Sequence, residues 1–402
     1  MDIYVLIILT FEAVLSVLLI YSTKSLKNTK DVFITSILIF ISFALRFSML
    51  NHKTYDYLDF LTKWVSYFRD NGGFSALSNP IGNYNIPYLY ILAAISYSDI
   101  TDLYLIKLTS IFFDILLSYS CALIVSSTTH NKIKTIFSFI AVLFIPTVIL
   151  NSAYWAQCDS IYTAFSILGI YFALSKKPRL SIIMFAISFS FKLQAVFILP
   201  VIFIFIIDKK IKPKHLLWFP TTYFLLLLPA LLLGLPLSKG IFLYFNQVGS
   251  VGSALNYNSS SIFSIISFPS NDQSFVSKIS IIITFVLIIL IYTIHLVLKG
   301  GSSKKTEVAI TCLFSIMIPF FLPHMHDRYF FPADVLSVVM ACISPKLFIL
   351  PLLVEFGSFL GYYAYLQGAF ILPMKFGGET IALALLICLC FYMVSLKPSK
   401  IK

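Results

Sequence analysis

Apolar stretches long enough to cross a bilayer recur from one end of this chain to the other, and short lysine-rich loops separate them. A hydrocarbon core about 30 Å thick takes roughly 20 apolar helical residues per crossing. Stretches of that kind lie at 3–22, 32–50, 103–126, 135–150, 160–175, 181–207, 215–234, 276–298, 306–322, 330–344, 347–363 and 379–396. Lipid offers no hydrogen bonds, so each span must satisfy its backbone internally, as a helix does. The 402 residues are 59% hydrophobic and only 11% charged. A soluble domain of this length could not hide so much apolar surface. The expected fold is an all-α polytopic membrane protein, a single integral membrane domain over 1–402 with roughly 11–13 transmembrane helices.

The formal net charge of +12 fits the same reading. Most basic residues sit in short loops: Lys24, Lys27 and Lys30; Lys132 and Lys134; Lys176, Lys177 and Arg179; Lys209, Lys210, Lys212 and Lys214; Lys299, Lys304 and Lys305; Lys346; Lys397, Lys400 and Lys402. Such loops belong in the cytoplasm, and the charge needs no nucleic-acid partner to explain it. The other loops, 51–100, 151–160, 235–275, 323–329 and 363–378, are less basic and more aromatic, and fall on the opposite face. That places the chain in the plasma membrane with its N-terminus outside and its C-terminus in the cytoplasm. The first span starts at Ile3 without a basic leader or a small-residue cleavage site, and reads as a retained span. The six cysteines follow no metal or disulfide spacing, and read as small apolar residues.

One stretch breaks the alternation. Residues 181–207 have lysine-rich loops on both sides, so this segment must enter and leave by the same face. A re-entrant or broken helix pair with its apex near Lys192–Pro200 satisfies this. Irregular backbone at membrane depth survives only where protein buries it or it lines a cavity, which puts Lys192 and Gln194 at a cavity wall. In the first outer loop, 51–100, Leu58, Leu61, Val65 and Phe68 recur at helical spacing, predicting an amphipathic interfacial helix over 57–70. A second long outer loop covers 235–275.

Ionisable residues on the outer face are few. Those beside span ends include Asp56 and Asp59 after the second span, Asp159 at the entry to another, and the run His324-Met325-His326-Asp327-Arg328-Tyr329. Arg46, Lys107 and Asp114 are embedded near outer span ends. Charged groups are costly there and persist where they do chemistry or bind charged ligands. Carboxylates beside cations suit transfer from an anionic lipid-linked donor to a hydroxyl: a carboxylate takes the hydroxyl proton, and Lys or Arg stabilises the departing phosphate. There is no P-loop and no GxGxxG.

These residues carry a resemblance. Asp56 and Asp59, followed by Trp64, Asn71-Gly72-Gly73 and Tyr84-Asn85-Ile86-Pro87-Tyr88-Leu89-Tyr90, resemble the first outer loop of polyprenyl-phosphate-sugar-dependent glycosyltransferases of the GT-C class. Trp155-Ala156-Gln157-Cys158-Asp159 is similar to that class's WGQxD-like segment, with Ala156 where glycine is usual. Phe191-Lys192-Leu193-Gln194 with Leu199-Pro200 is similar to its KxQ…LP segment. Ser253-Ala254-Leu255-Asn256-Tyr257-Asn258 resembles its NAPN-like segment without the proline, and His324–Tyr329 resembles its H-x-H-[DE]-[RK] segment. Within that class the segments resemble bacterial relatives of the second mannosyltransferase of GPI-anchor synthesis. The resemblance runs from about Arg46 to about Leu336.

The resemblance implies a GT-C-like bundle with an outer-face cavity roofed by the first outer loop. It implies transfer of a hexose, such as mannose, glucose or galactose, from a polyprenyl-phosphate donor to a cell-envelope glycan or glycolipid hydroxyl, with inversion. The base would be Asp56 or else Asp59, which one helical turn would set on the same side; Asp56 could also cap the helix. Asp159 would orient the acceptor or a basic partner, or cap its own helix. Arg328 and Lys192 would meet the lipid phosphate. His326 would hydrogen-bond phosphate or sugar, with His324, Asp327, Tyr329 and Gln194 completing the donor site. No cofactor is expected, although His-x-His-Asp also admits a divalent cation. Two other classes fit a polytopic chain with these features: a transporter or flippase of a lipid-linked or anionic substrate, and a polysaccharide polymerase.

Overall fold

A computed structural model describes residues 3–244, 252–298 and 303–396. Lys299, Lys397, Lys400 and Lys402 of the lysine-rich loops, and 245–251 of the second outer loop, lie outside the described residues. The chain is helical almost throughout. In order the helices are α1 Ile3–Ser22, α2 Thr29–Met49, α3 Thr62–Asp70, α4 Ile86–Ile95, α5 Asp102–Thr129, α6 Lys132–Leu143, α7 Pro146–Ile149, α8 Asp159–Leu174, α9 Pro178–Phe191, α10 Val201–Ile207, α11 Trp218–Leu232, α12 Leu237–Ile241, α13 Gln273–Val297, α14 Lys304–Phe321, α15 Phe331–Ile343, α16 Ile349–Gln367 and α17 Met374–Leu396. Several start where the sequence supplies a cap. Asn28 accepts from the Asp31 N–H at 2.8 Å, Asn131 from the Lys134 N–H at 3.1 Å, and Ser303 from the Thr306 N–H at 3.1 Å.

Among the described residues seven helices are long and apolar enough to cross a membrane, or eight when the bent pair Lys132–Leu143 and Pro146–Tyr154, with its 49° kink, counts as one span. This is a multi-pass arrangement with fewer full-length crossings than the 11–13 expected. The shortfall has a structural reason. Helices α8, α9 and α15 hold 16, 14 and 13 residues, and α10 only 7. Apolar composition alone does not separate a short buried helix from a crossing. Helix α14 is buried continuously from Thr306 to Phe320, so protein surrounds it. Helices α1, α2 and α13 instead turn large apolar side chains outward, among them Phe11, Phe33 and Phe285.

The two ends of the bundle differ in kind. At one end lysines tie helices together: Lys134 donates to the Ile343 carbonyl at 3.3 Å, Lys304 to that of Ser127 at 2.9 Å, and Lys210 to Glu307. At the other end Lys107 caps the exit of α2, donating to the carbonyls of Met49, Leu50 and His52 at 2.9, 3.1 and 2.7 Å.

The stretch over 181–207 is broken as its flanking lysines require. Helix α9 ends at Phe191, Lys192 is extended (φ −153°, ψ 137°), and a 3-10 turn over Leu193–Phe197 leads through Pro200 into α10. Helix α10 then returns to the lysine-rich end, where Lys210 meets Glu307.

The first outer loop departs from expectation. Its helix opens with a π-turn over Tyr57–Leu61 before α3 begins. The wider turn shifts the apolar stripe by one position. Tyr57, Leu61, Trp64, Val65 and Phe68 are buried, whereas Leu58 is exposed. The second outer loop is pinned to the His-rich segment by a two-residue parallel ladder, β1 Asn256–Tyr257 on β2 Met325–His326.

Candidate functional site

At the end of the bundle away from the lysine contacts, four separate parts of the chain deliver charge to one place. Asp56 comes from the turn before the first outer helix, Asp159 from the start of α8, Lys192 from the break after α9, and Arg328 from the loop before α15. Arg328 is the hub. Its guanidinium lies 3.8 Å from Asp56, 3.5 Å from Asp159 and 3.9 Å from Asp327, and its carbon stands 5.2 Å from the Trp155 ring centre. None of these three ion-pair contacts is a close hydrogen bond, and Arg328 Nε has no hydrogen-bond partner. Asp159 bridges the two cations, because Lys192 Nζ sits 2.5 Å from its other oxygen.

Asp56 is held by neutral donors. Trp155 Nε1 donates to it at 2.9 Å, Gln157 Nε2 at 2.6 Å, and the Tyr365 hydroxyl from α16 donates to its other oxygen. It makes no side-chain capping bond, so the cap role does not apply. Its carboxylate is 15% exposed and Arg328 18%, so neither is fully closed off. Tyr365 stacks on Trp155 at 4.6 Å, forming an aromatic wall beside the carboxylate.

The Trp155–Asp159 segment follows an irregular path. A π-turn over Leu150–Tyr154 leads into it, and Ala156 takes the left-handed conformation (φ +66°) while buried. Glycine adopts that conformation without strain and alanine does not. The turn aims Gln157 back at Asp56, and Tyr84 donates to its Oε1 at 2.9 Å. Asn151 donates to Asp159 at 2.7 Å and to the Tyr362 hydroxyl at 3.0 Å. Helix α8 begins at Asp159 itself, and the residue does not cap it.

Several expected site residues are placed differently. Asp59 points away: it is exposed and pairs with Lys63 at 3.0 Å, one turn along the same helix. Asp59 therefore shares no partner with Asp56, whose bonds run to Trp155, Gln157 and Tyr365. His324 is structural. Its Nδ1 contacts the Ala254 carbonyl at 2.7 Å and its Nε2 the Ser277 hydroxyl at 3.0 Å, so both ring nitrogens hold the second outer loop and α13. His326 does face the site, stacked on Tyr257 at 4.7 Å. Burial and the nearby Arg328 charge pull its pKa down to about 4, so the ring is neutral at neutral pH. Gln194 and Tyr329 stand behind the cluster. Tyr329 packs between Phe197 and His326.

Asp327 is buried, and burial pushes its pKa up to about 7 against the opposing pull of Arg328. One of its oxygens has no hydrogen-bond partner. Its backbone rests on Gly361 of α16, where a Cβ would come within 2.5 Å of the Asn258 carbonyl and 3.0 Å of the Asp327 carbonyl. Among the described residues no group of three His, Cys, Asp or Glu side chains is placed to hold a metal ion.

Tyr365 and Asn151 carry no sequence signal that would have found them. Both are ordinary residues in apolar context, and only the packing of α16 against the Trp155 segment brings Tyr365 to Asp56. No protein-family model matches this chain, and no curated protein matches its sequence.

Proposed function

We propose that this protein is an inverting membrane glycosyltransferase of GT-C-like architecture, working in a cavity at the end of the bundle opposite the lysine-rich loops. The observation that carries the reading is Asp56. It is an accessible carboxylate fixed by three neutral donors and facing, rather than tightly bonded to, a cation. Asp56 acts as general base, taking the proton from the acceptor hydroxyl as that oxygen attacks the anomeric carbon. The bond from that carbon to the donor phosphate oxygen breaks, and the phosphate leaves with the electron pair. Arg328 and Lys192 receive its charge; their loose or shared contacts with Asp159 and Asp56 leave them able to turn to a phosphate. Neutral His326 donates to phosphate or sugar, and Tyr365, part-exposed where it lies over the buried Trp155, packs a sugar face. The donor is a polyprenyl-phosphate hexose and the acceptor a cell-envelope glycan or glycolipid, on the extracytoplasmic side of the plasma membrane.

The test is binding and transfer with purified protein and polyprenyl-phosphate monosaccharides. Asp56→Asn is expected to keep donor affinity and fold while transfer falls by about 10²–10⁴-fold, the usual worth of a positioned base. Arg328→Ala is expected to weaken donor binding. No saturable binding of any such lipid would sink the reading.

A second reading rests on the break at Lys192. A helix interrupted at an ion pair with Asp159 is also the way transporters build substrate sites. Loss of function confined to Lys192 variants, with Asp56→Asn unaffected, would favour it.

A further inference from the structure

At the lysine-rich end, far from the charge cluster, a groove of about 660 Å³ opens between α2 and α6. Its walls are apolar, formed by Ile34 and Leu38 of α2 and by Ile136 and Phe137 of α6. Its mouth is basic. Lys27 and Lys132 stand there with His130, and both helices begin beside them, so two positive helix-dipole ends point to the same opening. The one carboxylate in the groove, Asp31, accepts from the Lys27 backbone N–H at 3.1 Å.

The lysines of this end differ in how they are bonded. Lys134, Lys210 and Lys304 are committed to carbonyls or a carboxylate of the bundle. The ammonium groups of Lys27 and Lys132 have no partner among the described residues, and both side chains are exposed. Phe137 is 63% exposed on the wall directly below. Charge at the membrane surface and bare hydrocarbon-facing wall beneath it match an amphiphile with an anionic head. Basic pockets between membrane helices at a lysine-rich face bind such headgroups.

We infer that this groove is a binding site for an anionic phospholipid, its phosphate at Lys27 and Lys132 and an acyl chain along Ile34, Leu38, Ile136 and Phe137. A zwitterionic lipid carries its own cation and would compete with the two lysines rather than complete them. A protein partner or second copy would have to bring both an acid and a long apolar segment into the bilayer.

The test uses the full chain in detergent, with native mass spectrometry of bound phosphatidylglycerol against phosphatidylcholine of the same chains. One strongly retained phosphatidylglycerol is expected. The pair Lys27→Ala and Lys132→Ala should weaken it about thirtyfold, from roughly fivefold per lysine. Lys212→Ala with Lys214→Ala removes equal charge from another lysine loop and should leave retention unchanged. Ile136→Trp keeps the charges and fills the groove, and should also abolish retention; it serves if the lysine pair fails to fold. Equal loss in the control pair, equal binding of both lipids, or retention in Ile136→Trp would overturn the proposal.

Discussion

Two arginine–aspartate arrangements among the described residues, one fully buried and one partly open, are built on opposite plans. Arg46 and Asp114 are both fully buried, and every polar atom is closed. Arg46 donates to Asp114 at 3.2 and 3.0 Å, to the Ser42 hydroxyl at 2.6 Å and to the Leu143 carbonyl at 3.0 Å, while Ser152 and Ser160 complete the carboxylate. Arg328 keeps three carboxylates at 3.5–3.9 Å and leaves Nε without a hydrogen bond. Buried charge must be paired and hydrogen-bonded to be tolerated. The Arg46–Asp114 pair meets that condition within the protein, as a joint between helices should, and the one open polar atom beside it is an oxygen of buried Glu12. The Arg328 cluster does not, which is what a site needs if a charged ligand is to complete it. The same residue types therefore read as architecture or as function only once their bonding is known.

The comparison is broken most severely at the closed cluster. Asp114→Ala strands a buried guanidinium and is expected to cost about 3–5 kcal/mol, seen as a large drop in melting temperature or loss of folded protein. Adding Arg46→Met to Asp114→Leu should recover part of that, since an apolar pair needs no partner; Ser160 keeps a deficit. If Asp114→Ala melts like the parent, the closed cluster is not a structural joint.

The open cluster should instead betray itself through pH. Asp327 has its pKa raised from 3.8 to about 7, mainly by burial. A raised carboxyl contributes stability that is complete below the unfolded value near 3.9 and is lost as pH rises through about 7. That loss amounts to at most about 4 kcal/mol. In Asp327→Asn the decline in melting temperature between pH 4 and 7 should flatten. An unchanged slope would mean that Asp327 does not titrate in this range. Strain at the same site gives a smaller effect: Ala156→Gly relieves a left-handed alanine and should raise stability by about 1 kcal/mol, read by thermal melting.

Much of this contrast was legible in the sequence and some was not. The lysine loops on both sides of 181–207 forced a break, and the structure places it at Lys192. The clustering of Asp56, Asp159, Lys192 and Arg328 follows from motifs that lie far apart in the chain. Short apolar helices were harder, because burial inside protein and burial in lipid select the same residues. His324 and Asp59 failed for local reasons. A left-handed turn at His324 (φ +61°) sends its ring to Ala254, and neither that turn nor the π-turn after Asp56 leaves a sequence mark.

Asp59 sharpens the comparison from outside both clusters. Helical spacing sets it beside Asp56, yet the π-turn leaves it exposed and paired with Lys63. An exposed i,i+4 pair is worth about 0.3–0.5 kcal/mol and is screened by salt. Asp59→Asn should therefore move stability by no more than that, and less at high salt. It should leave transfer at the parental rate, where Asp56→Asn is expected to lose about 10²–10⁴-fold. Measuring both variants side by side separates a carboxylate in the right sequence from one in the right place. Equal loss of transfer in the two would show that the first outer loop rearranges before the reaction, bringing Asp59 round to Asp56.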